Sequence, residues 1–238
     1  MDFKIKRYKK DFPYSYSIGV YPTIELLLHA HDITVGVVIH PDGKENKGCK
    51  KIRNYCNRLG IPFTEQDKPF QRIGARENDY AFGIFRKESP SLVASENHVV
   101  LVNPGSTGNL GTIIRTIIGF NFRNLAIIKP GVDIFHPEVV RASMGAIFQL
   151  QYQDFSDFST YKNTFGHKVY SLMTQGNVGL HETTFLSPYC LVFGNESTGL
   201  PESFLSEGIS VKIPQNDNID SLNLAVAVGI TLYQANIC

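Results

Sequence analysis

From His98 onward, short apolar runs alternate with longer helix-like stretches, and few folds accommodate that pattern. The predicted order is strand 98–102, helix 108–119, strand 125–129, helix 137–148, strands 168–173, 191–193 and 210–213, then helix 221–234. Strands that are apolar at consecutive positions are buried on both faces, and strands joined through helices pair mostly in parallel. In an open sheet of this kind ligands sit outside the carboxyl ends of the strands, so the loops that follow the strands are where chemistry is sought.

Residues 1–98 read as a separate small α/β domain. Pro22 opens a predicted helix over 22–29, a buried strand follows at 35–39, and apolar runs lie at 61–63 and 80–85. Between them, 49–59 is an amphipathic helix with Ile52, Tyr55, Cys56 and Leu59 on one face, Lys50, Lys51, Arg53, Asn57 and Arg58 around the other, and Gly60 as C-cap. The polar stretch near residues 87–97 predicts domains at 1–90 and 98–238 with a linker at 91–97. The net charge of +1 hides an asymmetry: residues 1–98 hold 16 Lys and Arg against 12 Asp and Glu, and residues 99–238 hold 7 against 10. That split suggests an anionic partner for the first half.

Hydrophobic residues at 42% and charged residues at 19% are globular proportions that exclude a disordered chain. No apolar run approaches the ~20 residues of a membrane span, and the charged N-terminus lacks the apolar core of a secretory signal, which places the chain in the cytoplasm as an expectation. Cys49, Cys56, Cys190 and Cys238 form no C-x-x-C pair and read as reduced structural thiols, with zinc ligation as the other reading.

The familiar nucleotide signatures do not fit. Gly105-Ser106-Thr107-Gly108-Asn109-Leu110-Gly111 is neither the dinucleotide fingerprint nor a phosphate-binding loop, since no Lys-Ser or Lys-Thr follows it. His181-Glu182-Thr183-Thr184-Phe185 begins like a zinc-protease helix but has Phe where the second His must stand, and reads as a surface loop. Three polar, glycine-bearing loops remain. The first runs through Asn103-Pro104-Gly105 into a helix N-terminus suited to an anion; Arg115 lies in that helix among isoleucines and reads equally as a snorkelling or ion-paired arginine. The second sets Glu196 between Gly194 and Gly199, where glycines permit close backbone approach or simply make a turn. The third, 213–224, enters a helix apolar almost all round and so predicted to be buried, with Asp220 or Ser221 as N-cap and Asn223 an amide in need of a partner.

Taken together, these loops resemble the three motifs of the SpoU/TrmH family, in the SPOUT class of S-adenosylmethionine-dependent RNA ribose 2′-O-methyltransferases. Residues 109–116 resemble motif 1, 191–200 motif 2 and 213–227 motif 3, while Arg141-Ala142-Ser143-Met144-Gly145 resembles a further family segment. The likeness covers nearly all of 98–238; residues 1–98 resemble more loosely a small ribosomal-protein-like RNA-binding domain. The resemblance implies an α/β fold with a trefoil-knotted C-terminal methyltransferase domain, a homodimer, and tRNA or rRNA as partner, with no DNA expected. It also implies S-adenosylmethionine held near Met173, Thr174, Gly194, Asn195, Ile213 and Leu222, and no metal, because the leaving thioether is neutral.

The catalytic set the resemblance implies is Arg115, Asn109, Glu196, Ser221 and Asn223. Arg115 would stabilise charge developing on the ribose oxygen, and Asn109 and Glu196 would position substrate and anchor polar partners, Arg115 among them. Lys50, Arg53, Arg58, Arg72 and Arg76 then become RNA phosphate contacts, joined by Lys4, Lys6, Arg7, Lys9 and Lys10, while Tyr8, Tyr14, Tyr16 and Phe70 would stack on unpaired bases. The alternative is a catalytically silent dimeric RNA-binding or assembly protein, against which the presence of all five polar residues argues.

Overall fold

A computed structural model describes residues 5–216 and 218–237. The chain divides into two compact units, one comprising residues up to Glu88 together with Asp133–Gln149, the other Ser89–Val132 with the chain from Leu150 onward.

The first unit is built from β1 (Tyr14–Ile18), α1 (Val20–His29), β2 (Thr34–Ile39), α2 (Lys47–Leu59), β3 (Phe63–Glu65), α3 (Lys68–Ile73) and β4 (Ala81–Arg86). Its sheet runs β1-β4-β2-β3, with only the β2/β3 pair parallel. Side chains alternate across β2 as the pleat requires: Val37 and Ile39 join Leu27, Ile52 and Cys56, whereas Val38 joins Tyr16, Phe70 and Phe82 on the other face. The basic amphipathic helix is α2, whose Asn46 side chain accepts from the N–H of Gly48 and Cys49, and whose C-cap Gly60 takes the left-handed φ of 67°.

The second unit opens with β5 (His98–Val102), α4 (Thr107–Gly119) and β6 (Asn124–Ile128). The chain then returns to the first unit for α5 (Pro137–Ala142) before β7 (Gln151–Phe155), α6 (Phe158–Phe165), β8 (Lys168–Leu172), β9 (Val178–Gly179), β10 (Tyr189–Phe193), β11 (Ile209–Lys212) and α7 (Leu224–Ile237). The seven strands pair in the order β7-β6-β5-β10-β8-β11-β9, every pair parallel. Val100, Ala126 and Val192 pack with Phe158 and Tyr161 of α6. The intervening Val99, Leu101, Leu125, Ile127 and Leu191 are equally buried, so both faces are covered, as consecutive apolar residues predict.

Three features depart from the sequence reading. The helix predicted over 137–148 stops at Ala142, because Met144 and Gly145 take left-handed φ values of 53° and 83° before a 3-10 turn at Ala146–Gln149. That segment belongs to the first unit, where Phe148 meets Phe85 edge-on at 5.0 Å, so the division is discontinuous instead of a single cut near residues 91–97. The last helix begins at Leu224 and is not buried all round: Val226, Ile230 and Tyr233 are 50%, 39% and 57% exposed, a stripe at i, i+4 and i+7, while Val228 and Leu232 are fully buried.

Beneath α6 lies a buried polar cluster. His98 Nε2–H donates to the Val93 carbonyl at 2.9 Å, which leaves Nδ1 to accept from the Tyr161 hydroxyl at 2.9 Å, and the His167 ring stands 4.3 Å away. Burial, together with the neighbouring His167, pushes the His98 pKa down from 6.5 to about 4 despite the Val93 bond. Between those values the unfolded chain binds a proton the folded chain refuses, so stability falls as pH is lowered across that window, by about 3 kcal/mol in all. Urea unfolding at pH 7 and pH 4.5 checks this: the wild-type midpoint is expected to drop more steeply with acid than that of His98→Gln.

Candidate active site

Because β5, β10, β8 and β11 are consecutive and parallel, the loops after them emerge side by side at one edge of the sheet. The β5 loop carries Gly105 and Ser106 into α4, the β10 loop carries Gly194 to Leu200, and the β11 loop carries residues 213–223 into α7. These are the three loops singled out in the sequence, and one carboxylate with two amides joins them.

Glu196 Oε2 accepts from the Gly105 N–H at 2.9 Å, and its Oε1 accepts from the Ser106 N–H at 3.2 Å and the Asn109 amide at 3.1 Å. Asn109 in turn accepts, through Oδ1, a bond of 3.2 Å from the Asn223 amide. The Asn223 Oδ1 accepts from the N–H of Ala225 at 2.9 Å and Val226 at 3.4 Å, which makes Asn223 the cap of α7 in place of Asp220 or Ser221. Burial pushes the Glu196 carboxyl up, but the bonds from Gly105, its own backbone, Asn109 and Ser106 outweigh it and hold the pKa below the ordinary value. The partner that Asn223 requires is thus found within the site.

The β10 loop is clasped internally. Asn195 donates to the Asn103 carbonyl at 2.7 Å and accepts from the N–H of Ser197 at 2.8 Å, while Gly199, at a left-handed φ of 66°, exchanges backbone bonds with Asn195. A Cβ on Gly194 would run into the backbone of Gly199 and Leu200. Glycine there admits the folded-back loop.

Around this clasp lies a cavity of about 500 Å³, within the usual size of small-molecule sites, whose lining includes Met173, Thr174, Gly194, Asn195, Ile213 and Leu222. Leu172, Phe193, Leu200 and Val211 give it an apolar floor; among the described residues its carboxylates are Glu196, Glu202 and Asp220, and no lysine or arginine lines it. Ser221 also lines the cavity, whereas Asn109, Asn223 and Arg115 do not. Arg115 is exposed on α4 and has no hydrogen bond or ion pair among the described residues, so it is not among the partners of Glu196. Sequence reasoning missed Glu202 and Gln215 of the cavity wall, and Ser106, whose Oγ caps α4 by accepting from the Asn109 N–H at 3.3 Å. Only Ser106 carried a signal, as a serine at a helix start.

In the first unit the basic candidates fall into two groups. Lys50 pairs with Glu45 at 2.7 Å, Arg53 with Glu65 at 2.8 Å, and Arg58 stacks over Tyr55 at 4.9 Å. Arg72 and Arg76 are exposed, with no side-chain partner among the described residues. Two of the proposed stacking rings are core residues: Tyr16 is fully buried with its hydroxyl on the Lys6 carbonyl, and Phe70 packs against Phe82. Tyr8 is held by Asp133 and under Lys87, and Tyr14 stacks on Phe12. Lys4, Asp217 and Cys238 lie outside the described residues; Cys49, Cys56 and Cys190 are buried free thiols, and among the described residues no group of His, Cys, Asp or Glu could hold a metal ion.

A profile of the SpoU rRNA Methylase family matches residues 96–233. The chain is 33% identical over 141 residues to an uncharacterized tRNA/rRNA methyltransferase of Synechocystis sp., an alignment covering 58% of this chain and 52%, about half, of that relative. It is 26% identical over 218 residues to the 23S rRNA (adenosine(1067)-2′-O)-methyltransferase of Streptomyces azureus, covering 86% of this chain and 81% of the other. Among solved structures, the AdoMet-bound rRNA methyltransferase of Sinorhizobium meliloti superposes with a TM-score of 0.78 at 26% identity, over 94% of this chain and 87% of that one.

Glu196→Ala leaves three donors without their shared acceptor and is expected to lower the stability of the second unit by about 2–4 kcal/mol. Glu196→Gln is expected to cost less. The sign with pH follows from the depressed carboxyl: its contribution is complete above the ordinary value of 4.5 and is lost as pH falls through the lower folded value. Thermal melts of wild type and Glu196→Gln should therefore converge in acid.

Proposed function

The chain belongs to the SpoU rRNA methylase family, and on that footing we propose that it transfers a methyl group from S-adenosylmethionine to a ribose 2′-hydroxyl of structured tRNA or rRNA. The observation that carries this reading is the cavity at the carboxyl edge of the parallel sheet, framed by the three motif loops and laced by Glu196, Asn109 and Asn223. Its fit to the cofactor is chemical. An apolar floor suits adenine, and a wall whose charged side chains among the described residues are the carboxylates Glu196, Glu202 and Asp220 suits a ligand with a sulfonium and an ammonium group. The S. azureus relative, aligned over most of this chain, acts on rRNA by its name, which favours rRNA as substrate.

Bound there, S-adenosylmethionine would supply an electrophilic methyl group to the 2′-oxygen, its C–S bond giving way to a neutral thioether. The 2′-hydroxyl must lose its proton in that exchange. Arg115 is always protonated and cannot take it; its guanidinium, with no partner among the described residues, is available to stabilise the developing alkoxide, and water or an RNA phosphate accepts the proton. Glu196 is a poor base, since its oxygens are engaged and its carboxyl is held below the ordinary range. Glu196, Asn109 and Asn223 accordingly position the loops, and Ser221 faces the cavity where it can meet bound groups.

The first unit would bind RNA, with Arg72 and Arg76 free to contact phosphate and Arg53 contributing through the face of α2. A second copy of the chain would cover Val226, Ile230 and Tyr233, giving a homodimer, and the C-terminal segment would thread the trefoil knot of the family. Buried unpaired thiols accord with a reducing, cytoplasmic setting.

The test is transfer of tritiated methyl from S-adenosylmethionine to total RNA lacking the modification, followed by nucleoside analysis. Wild type is expected to yield a 2′-O-methylated nucleoside. Arg115→Ala should keep cofactor affinity yet lose about 10²–10³-fold in rate; an equal fall in cofactor binding would refute the role given to Arg115.

A further inference from the structure

The first unit holds a second cavity, of about 490 Å³ and remote in chemistry from the one above. It is walled by the turn from β1 into α1, by the loop Arg76–Asp79 and by Arg141 and Met144. Most aromatic side chains of this unit are paired, among them Tyr8, Tyr14, Tyr16, Phe70, Phe82 and Phe85. Tyr21, on the cavity wall, is 53% exposed and makes no ring contact among the described residues. Beside it Met144 is 37% exposed and held at a left-handed φ of 53°, a conformation a side chain of this size rarely adopts. The adjoining Gly145 packs closely on α1, where an added Cβ would lie 2.6 Å from Glu25 Cβ and 3.1 Å from Pro22 Cα.

The polar side of the cavity is arranged around Asp79. Its carboxylate takes the Arg141 guanidinium and accepts the Arg76 backbone N–H at 2.7 Å. That fixes the loop and leaves the Arg76 guanidinium and the Asn78 amide without side-chain partners among the described residues. Glu77, also on the wall, adds an acceptor. Gly48, in the first turn of α2, lies against Val20 of the same wall.

A flat exposed ring, a polarizable thioether, a free guanidinium, and an amide with a carboxylate are the groups that stack a base, meet a phosphate and read a base edge. They lie in a concavity, which a base buried within a duplex cannot enter. Resting on the RNA reading above, we infer that this cavity receives one unpaired nucleotide of the substrate, its base against Tyr21 and Met144 and its phosphate at Arg76. The first unit would then select an RNA by an unpaired position in its structure, using a ring other than those the sequence suggested.

The test measures binding of the full chain to a short single-stranded RNA of random sequence and to a perfect RNA duplex at one salt concentration, with S-adenosylmethionine affinity as a control. Tyr21→Ala is expected to weaken single-strand binding about 5- to 150-fold, the range for losing one stacked base, while leaving duplex and cofactor binding unchanged. Tyr21→Phe should bind as wild type. Unchanged single-strand affinity in Tyr21→Ala, or an equal loss for the duplex, overturns the nucleotide site alone. A wild type that binds neither RNA overturns the RNA reading and this inference with it.

Discussion

The Glu196 carboxylate accepts two backbone N–H groups and one side-chain amide, all from the segment that turns β5 into α4, although it is carried on the loop after β10. Charge-assisted bonds of this kind are the stronger ones, and three on one group fix two loops to each other with little freedom left. The third loop is added by Asn109, which passes the connection to Asn223, and Asn223 spends its remaining oxygen on the first turn of α7. One carboxylate and two amides thereby tie together the loops that frame the cavity.

That lacing is possible only because the strands beneath it are parallel and adjacent. β10 lies between β5 and β8 with β11 next, so four strand ends deliver their loops to one edge, while both faces of the sheet are closed by apolar packing. Burial supplies rigidity, and the polar edge supplies specificity. Arg115 stands apart from this arrangement: it is exposed and has no hydrogen bond or ion pair among the described residues, so the lacing does not depend on it.

Much of this was legible in the sequence, and the failures have physical causes. Apolar runs at consecutive positions announced a covered parallel sheet, and Asn46 and Gly60 bound α2 as helix chemistry requires. β1, β7 and α6 were not recognised, because Tyr14–Ile18, Gln151–Phe155 and Phe158–Phe165 mix serine, glutamine or threonine with aromatics and carry no clean period. The end of α5 at Met144 depended on a left-handed backbone at a non-glycine residue, which no local rule foretells. The motif loops singled out Glu196, Asn109 and Asn223 but not how they are joined: their bonds link residues about 90 to 115 positions apart. Tyr16 and Phe70 were read as stacking rings and Tyr21 was not named, because a sequence does not show which rings the core buries.

If the cavity owes its shape to this lacing, a residue that never touches the cavity should control its occupant. Calorimetric titration of S-adenosylmethionine into wild type and Asn109→Ala measures this directly. Two hydrogen bonds are lost in the variant, and the cofactor is expected to bind about 5- to 100-fold more weakly although no lining side chain has changed. Equal affinities would contradict the account, and the loops would then owe their positions to packing alone.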